Sequence, residues 1–155
     1  MEWKEEQVIN ANIETVWSLF QPDQMQRIMP KVVKHELVEH VEGEVGTKYE
    51  QSYQEGKRVE TYIVETLGHT NEPEYKYLKV GFVLGKAFEI ETAYTFKKID
   101  ERETLFIYEG SNKGVNFVGR AMLKLAGKKA STKVVDEFME RVKEEAEQEE
   151  TSHQY

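Results

Sequence analysis

From Gly114 to Glu150 the chain contains no proline, and apolar residues recur through the stretch. That predicts one long amphipathic helix, or two helical segments in line. At 1.5 Å per residue it would run roughly 50 Å. A compact domain of this length is only roughly 40 Å across. The helix must therefore cross the whole domain. What precedes it reads mostly as short strands, so a sheet is expected to wrap around it.

The chain has 155 residues, enough for one domain with a sizeable core. We expect a single domain over residues 1–150 and a disordered tail over 151–155, with fraying from about Ala146 onward. Charged residues make up 32% and the net charge is -8, which argues against nucleic acid as a partner. There is no cysteine, so disulfide and thiolate chemistry are excluded. The charged start, Met1-Glu2-Trp3-Lys4-Glu5-Glu6, lacks an apolar signal core, and no apolar run reaches membrane-spanning length. A cytoplasmic protein is the expectation.

Taken in order, the first strand is predicted over Trp3 to Asn10. Asn12 is a good N-cap, and Ile13, Val16, Trp17 and Phe20 follow at i, i+3, i+4 and i+7. Pro22-Asp23 stops that helix and is expected to cap a second, with Met25, Ile28 and Met29 as its buried stripe. From Lys31 the period becomes alternating. Val33, His35, Leu37 and Val41 share one face of strand two, and Tyr49, Gln51 and Tyr53 share one face of strand three. Glu55-Gly56 is a hairpin signal. Strand four is predicted over Lys57 to Leu67, with a loop from Gly68 to Pro73. Strand five covers Glu74 to Val80, and Gly81 to Gly85 is expected to break it. Strand six, Lys86 to Ile99, alternates most clearly, with Phe88, Ile90, Thr92, Tyr94 and Phe96 facing inward. Strand seven covers Thr104 to Glu109. The expected class is α+β, with a seven-stranded antiparallel sheet, two short helices after the first strand, and the long C-terminal helix as cover.

That order, with Ile9-x-Ala11-x-x-Glu14-x-Val16-Trp17 at the first helix, resembles the helix-grip superfamily, the START-like or SRPBCC group of birch pollen allergen-like and polyketide cyclase-like proteins. Met29-Pro30, Gly43-x-x-Gly46 and the terminal helix add to the resemblance. It implies a hydrophobic cavity between the curved sheet and the long helix, holding a lipid, polyketide or other apolar molecule. Fold alone does not select among these.

Eight tyrosines and seven phenylalanines make the chain rich in rings. Each alone is accounted for by strand propensity and core packing. Given the cavity the resemblance implies, the expected wall is Tyr62, Phe88, Ile90, Tyr94, Phe96 and Tyr108 from the sheet, with Val118 and Met122 from the helix. His35 could orient a ligand or act as an acid or base, or be a hydrogen-bonded core histidine. No histidine pair has metal-ligand spacing, and neither a metal nor a cofactor is expected. Gly81-Phe82-Val83-Leu84-Gly85-Lys86 is one residue short of a phosphate loop and opens a strand, so it is rejected as one.

Charge along the last helix is segregated. From Ser111 to Val135 there is no acid, while Arg120, Lys124, Lys128 and Lys129 are basic; from Asp136 to Glu150 acids dominate. This opposes the helix macrodipole, so local helix preference did not place the charges. The basic cluster could meet an anionic ligand or membrane surface, or be a solvated face.

Three functions remain in play. The first is a carrier of a hydrophobic or amphipathic small molecule. The second is a cyclase or dehydratase acting on a polyketide-like or aromatic substrate, which would need titratable groups such as His35 and a tyrosine to converge. The third is a partner-binding module using an exposed apolar face of the last helix.

The apolar stripe of that helix changes side between Ala126 and Val134, around Gly127, where a kink or break is expected. The second half, with Val134, Val135, Phe138, Met139, Val142 and Ala146, should then be core, and the first half a looser cover. Hydrogen exchange checks this. Amides 115–126 should exchange faster than 134–142, and equal protection in a monomer would refute the lid.

Overall fold

The computed structural model describes residues 1–85, 87–114 and 117–152, and the side chains of all of these except 117–132. The elements are β1 (Glu2–Ile9), α1 (Ile13–Ser18), α2 (Met25–Ile28), β2 (Val32–Glu39), β3 (Lys48–Glu55), β4 (Arg58–Asn71), β5 (Tyr75–Leu84), β6 (Phe88–Asp100), β7 (Glu103–Gly114) and α3 (Phe117–Ser152). The strands form one seven-stranded sheet in the order β1-β7-β6-β5-β4-β3-β2, and every neighbouring pair is antiparallel. Each chain-consecutive pair from β2 to β7 is adjacent, so the sheet is a meander closed on one side by β1. Among the described residues no helix is long and apolar enough to cross a membrane.

Local sequence explains α1. Asn12 Oδ1 accepts from the Glu14 backbone N–H at 2.9 Å, and Ile13, Val16, Trp17 and Phe20 are buried. The second helix starts differently from expectation. Gln24, not Asp23, occupies its N-cap, in a right-handed helical conformation and with no side-chain cap bond.

Strands β4 and β5 run past their expected ends, to Asn71 and Leu84, so the predicted loop at Gly68 and break at Gly81 are corrected. The reason is close approach. A Cβ on Gly68 would lie 2.9 Å from Tyr77 Cε1, and one on Gly81 would lie 2.8 Å from Leu67 Cδ1. These glycines make room for neighbouring side chains within the sheet and do not end strands.

The core lies between the concave face of β6, β7 and β1 and the helices. Trp17 meets Phe96 edge-on at 5.3 Å, and Phe20 meets Tyr94 at 4.8 Å and Phe96 at 5.0 Å. Val135, Met139, Val142 and Ala146 of α3 are buried in the same cluster, each large side chain contributing about 1.5–3 kcal/mol. The second half of α3 is thus core, as expected, except that Val134 is 66% exposed. The helix passes Gly127 without interruption, so of the expected kink or break the break is absent. The lid reading of its first half concerns side chains outside the described ones.

Lys76, only 2% exposed, joins α1 to the sheet. Its ammonium pairs with Glu14 at 2.7 Å and Asn71 Oδ1, and lies 5.7 Å above the Trp17 ring. Such a buried charge is tolerated because it is paired and hydrogen-bonded.

The acidic end of α3 is fastened instead of frayed. Glu147 Oε2 accepts from the Asn10 backbone N–H at 2.9 Å and pairs with Lys143 at 2.9 Å. Glu150 Oε2 accepts from the Asn12 N–H at 3.2 Å and Thr15 Oγ1 at 2.7 Å. Arg27 of α2 pairs with Glu145 at 3.1 Å and Glu149 at 3.0 Å. These partners explain why acids stand where the macrodipole disfavours them.

Burial works to raise the Glu147 carboxyl, but the Asn10 N–H and the Lys143 ammonium outweigh it and hold the group below its ordinary value. A depressed carboxyl stabilises the fold above its unfolded pKa of about 4.3, and the contribution fades as pH falls through the folded value. Glu147→Gln should therefore cost ~1 kcal/mol at pH 7, and the gap to wild type should close towards pH 3 in urea titrations.

Candidate functional site

Register places the inward side chains in cross-strand rows. One row is Lys76, Phe96, Phe106 and Gln7; the next is His69, Leu78, Tyr94, Tyr108 and Glu5. The helices press on these two. Gln7 Nε2 donates to the Met139 carbonyl at 2.8 Å, and Phe138 lies 4.7 Å from Tyr108. Further along the strands run Thr66, Val80, Thr92, Gly110 and Trp3, and then Phe82, Ile90 and Asn112. Beyond them come Tyr62 opposite Gln51 and Leu84 opposite Phe88. In these outer rows Tyr62, Val80, Phe82, Leu84, Phe88 and Ile90 are half-buried. They form an apolar wall on the concave side, beyond the packed core.

A polar string crosses one end of this wall. His35 Nδ1 lies 2.7 Å from Gln51 Oε1, and Gln51 Nε2 donates to Tyr62 Oη at 2.8 Å. An amide oxygen only accepts, so His35 carries its proton on Nδ1 in this arrangement. The His35 ring stacks on Tyr49 at 4.5 Å, and Tyr62 stacks on Phe82 at 4.7 Å. Burial lowers the His35 pKa, and the Gln51 bond only partly offsets it. Burial raises the Tyr62 pKa, with Gln51 again opposing. Both groups are thereby biased to their neutral forms. His35 does not share a buried apolar face with Val33 and Leu37 as expected. Those two are 46% and 56% exposed on the edge strand, and Tyr49 and Gln51 cover the histidine.

The opposite end of the wall is built from β1 and β7. The Trp3 ring lies over Gly110, whose missing side chain makes the space: a Cβ there would be 2.4 Å from Trp3 Cζ2. Trp3 meets Tyr108 edge-on at 5.8 Å. Burial pushes the Tyr108 hydroxyl far up, Tyr94 adds to this, and the nearby Trp3 indole N–H eases it without reaching hydrogen-bond geometry. Tyr94, fully enclosed, is pushed up to about 12 by burial, against a Thr92 Oγ1 bond of 3.2 Å.

The expected wall residues thus divide. Tyr94 and Phe96 sit in the packed core, Tyr108 at its margin, and Tyr62, Phe88 and Ile90 on the half-buried wall with His35 at its end. Val118, Met122, Arg120, Lys124, Lys128 and Lys129 have side chains outside the described ones. Sequence reasoning missed Phe82, hidden between two glycines taken for a break, and Trp3 and Asn112 near strand ends. Gln51 was placed on the right face by parity with Tyr49 and Tyr53, but its bridging role needs the β2 and β4 registers. Among the described residues no cluster of His, Asp or Glu could hold a metal ion.

The convex face has an open hollow of about 470 Å³ lined by Lys4, Tyr77, Lys79, Glu91, Ala93 and Glu109, among others. Its charges pair with each other, Lys79 with Glu91 at 3.5 Å and Lys4 with Glu109 at 4.0 Å. Self-satisfied surface ions offer little to a ligand, so the concave wall is the candidate site.

The model of the family described as polyketide cyclase / dehydrase and lipid transport matches residues 2–147. The chain belongs to that family. No match emerges among curated protein sequences. Solved structures share the fold of this polyketide cyclase / dehydrase and lipid transport family member at low identity. A conserved protein from Geobacillus kaustophilus is 18% identical, with 94% of this chain and 95% of that one covered and a TM-score of 0.67. Major latex-like protein 151 from Panax ginseng is 17% identical, with 97% of both chains covered and a TM-score of 0.67. A norcoclaurine synthase point mutant from Thalictrum flavum, in complex with a transition-state analogue, is 13% identical, with 100% and 96% covered and a TM-score of 0.65. The family member has the helix-grip, SRPBCC fold, of which a hydrophobic ligand-binding cavity is typical.

The His35 environment has a pH consequence. The fold favours neutral imidazole, while the unfolded chain takes up a proton below about pH 6.5. Stability should therefore fall as pH drops from that value to the lower folded pKa, then level off. His35→Gln should lack this component in urea titrations between pH 7.5 and 5.

Proposed function

We propose that the protein binds an apolar or amphipathic small molecule against the concave wall, with a neutral polar group of the ligand on the His35–Gln51–Tyr62 string. The observation that carries this is the string itself, set at the edge of half-buried Tyr62, Phe82, Leu84, Phe88 and Ile90. Binding sites of this kind are mostly apolar, with a few placed polar groups to orient the ligand. With Gln51 donating to its oxygen, Tyr62 has its own O–H left to donate, which suits a carbonyl or hydroxyl oxygen. In this reading Val118 and Met122 complete the wall from α3, and Arg120, Lys124, Lys128 and Lys129 meet an anionic group or membrane surface at the mouth.

One observation favours a second reading, a cyclase or dehydratase acting on a polyketide-like or aromatic substrate. His35 and Tyr62, two titratable groups, are linked through one amide on the same wall. In that reading the unprotonated Nε2 of His35 takes a proton from the substrate and the Tyr62 hydroxyl polarises its carbonyl.

The test is displacement of 1-anilinonaphthalene-8-sulfonate by 1-decanol. Saturable probe binding, competed by the alcohol and weakened about fivefold by Tyr62→Phe, is the expected result. Absence of saturable binding to the folded protein would refute the carrier reading. A turnover that disappears in His35→Gln while probe binding persists would establish the second.

A further inference from the structure

Among the described residues two buried side-chain polar atoms lack a hydrogen-bond partner, Trp3 Nε1 and Asn112 Oδ1. They belong to the same end of the concave face. Trp3 is opposite Gly110 in the β1–β7 register, and Asn112 is two residues further on the same face of β7, opposite Ile90. The Asn112 backbone is fixed, since its N–H donates to the Met1 carbonyl at 2.8 Å and its carbonyl accepts from the Met1 amine at 2.7 Å. The Trp3 ring is fixed too, wedged over Gly110 and against Tyr108. Neither side chain is placed by a bond of its own polar atom. Buried groups are nearly always paired, so an unmatched donor and an unmatched acceptor on successive rows of one face are an exception that calls for a partner.

We infer that Trp3 Nε1 and Asn112 Oδ1 form a second polar anchor, for a ligand hydroxyl that accepts from the indole and donates to the amide oxygen. An indole N–H only donates and an amide oxygen only accepts, so one hydroxyl satisfies both. This rests on the binding reading above and narrows it. The first anchor is Tyr62 on β4, and the second is on β1 and β7, with Val80, Phe82 and Ile90 between them. Three strand spacings separate the β4 and β7 backbones, about 14 Å, comparable to the oxygen-to-oxygen span of an extended ten-carbon diol. The ligand class is therefore an apolar body with a polar group at each end, and not a simple single-headed amphiphile.

Competition against 1-anilinonaphthalene-8-sulfonate by 1,10-decanediol and 1-decanol tests this. The diol should displace the probe from the wild-type protein at about tenfold lower concentration than the alcohol. That preference should vanish in Trp3→Phe, which keeps the ring and removes the N–H, and in Asn112→Ala, which serves if the first variant does not fold. Displacement by 1-decanol, measured in the same variants, is the reference against which that loss is read. Equal displacement by diol and alcohol in the wild type, as expected if a bound water satisfies the two atoms, overturns the second anchor and leaves the carrier reading intact. A preference that persists in both variants also overturns it. Failure of both compounds to displace the probe overturns the carrier reading and this inference together.

Discussion

Everything on the concave side depends on how the C-terminal end of α3 is held. Four carboxylates within two turns reach the first thirty residues: Glu145 and Glu149 bind Arg27, Glu147 binds the Asn10 N–H, and Glu150 binds the Asn12 N–H and Thr15. Each is a charge-assisted bond at a partly exposed place, worth little singly against solvent. Together they fix the helix relative to β1, α1 and α2 at once. Only with α3 so placed do Phe138, Met139 and Val142 meet Phe20, Tyr94 and Phe106 in one cluster. The arrangement costs the helix its preferred dipole pairing, a matter of about 0.3–1 kcal/mol per charge. The bonds and the core behind them offset that cost.

This anchoring divides the concave face. Towards the fastened end of α3, rings interlock: Phe96 and Phe106 are wholly buried and Tyr94 nearly so. Away from it, along the first half of β4 and the extended end of β5, the same inward parity continues with half-buried Phe82, Leu84, Phe88 and Ile90. The length of β5 is thus what makes the outer wall. A β5 that stopped at Val80 would bring no Phe82 to stack on Tyr62.

What was legible in the sequence follows the range of the interaction. Asn12 capping and the Ile13, Val16, Trp17, Phe20 stripe are decided within eight residues, and they stand as read. The alternation of β6 is equally local and equally plain. The resemblance to the helix-grip group carried the topology. What was hidden depends on residues distant in sequence. Gly68 and Gly81 look like breakers until Tyr77 and Leu67 are seen filling their Cβ positions. Leu37 looks like a core residue until β2 proves to be the edge strand. Gln51 is an ordinary polar residue on a strand until register sets His35 on one side of it and Tyr62 on the other.

The electrostatics of the wall then narrow what it can hold. The chain carries a net charge of -8, yet that charge is elsewhere. Acids cluster at the end of α3, in the turns and on the convex face, where several pair with lysine or arginine. On the wall the two titratable groups of the string are moved by burial in opposite directions, histidine down and tyrosine up, and both moves favour the uncharged form at neutral pH. A charged ligand group set against them would lose its hydration and gain no counter-ion from the string. A neutral oxygen loses far less and recovers it through the Tyr62 hydroxyl. In the proposed binding reading the string orients a ligand without attracting ions, and affinity comes from contact between apolar surfaces.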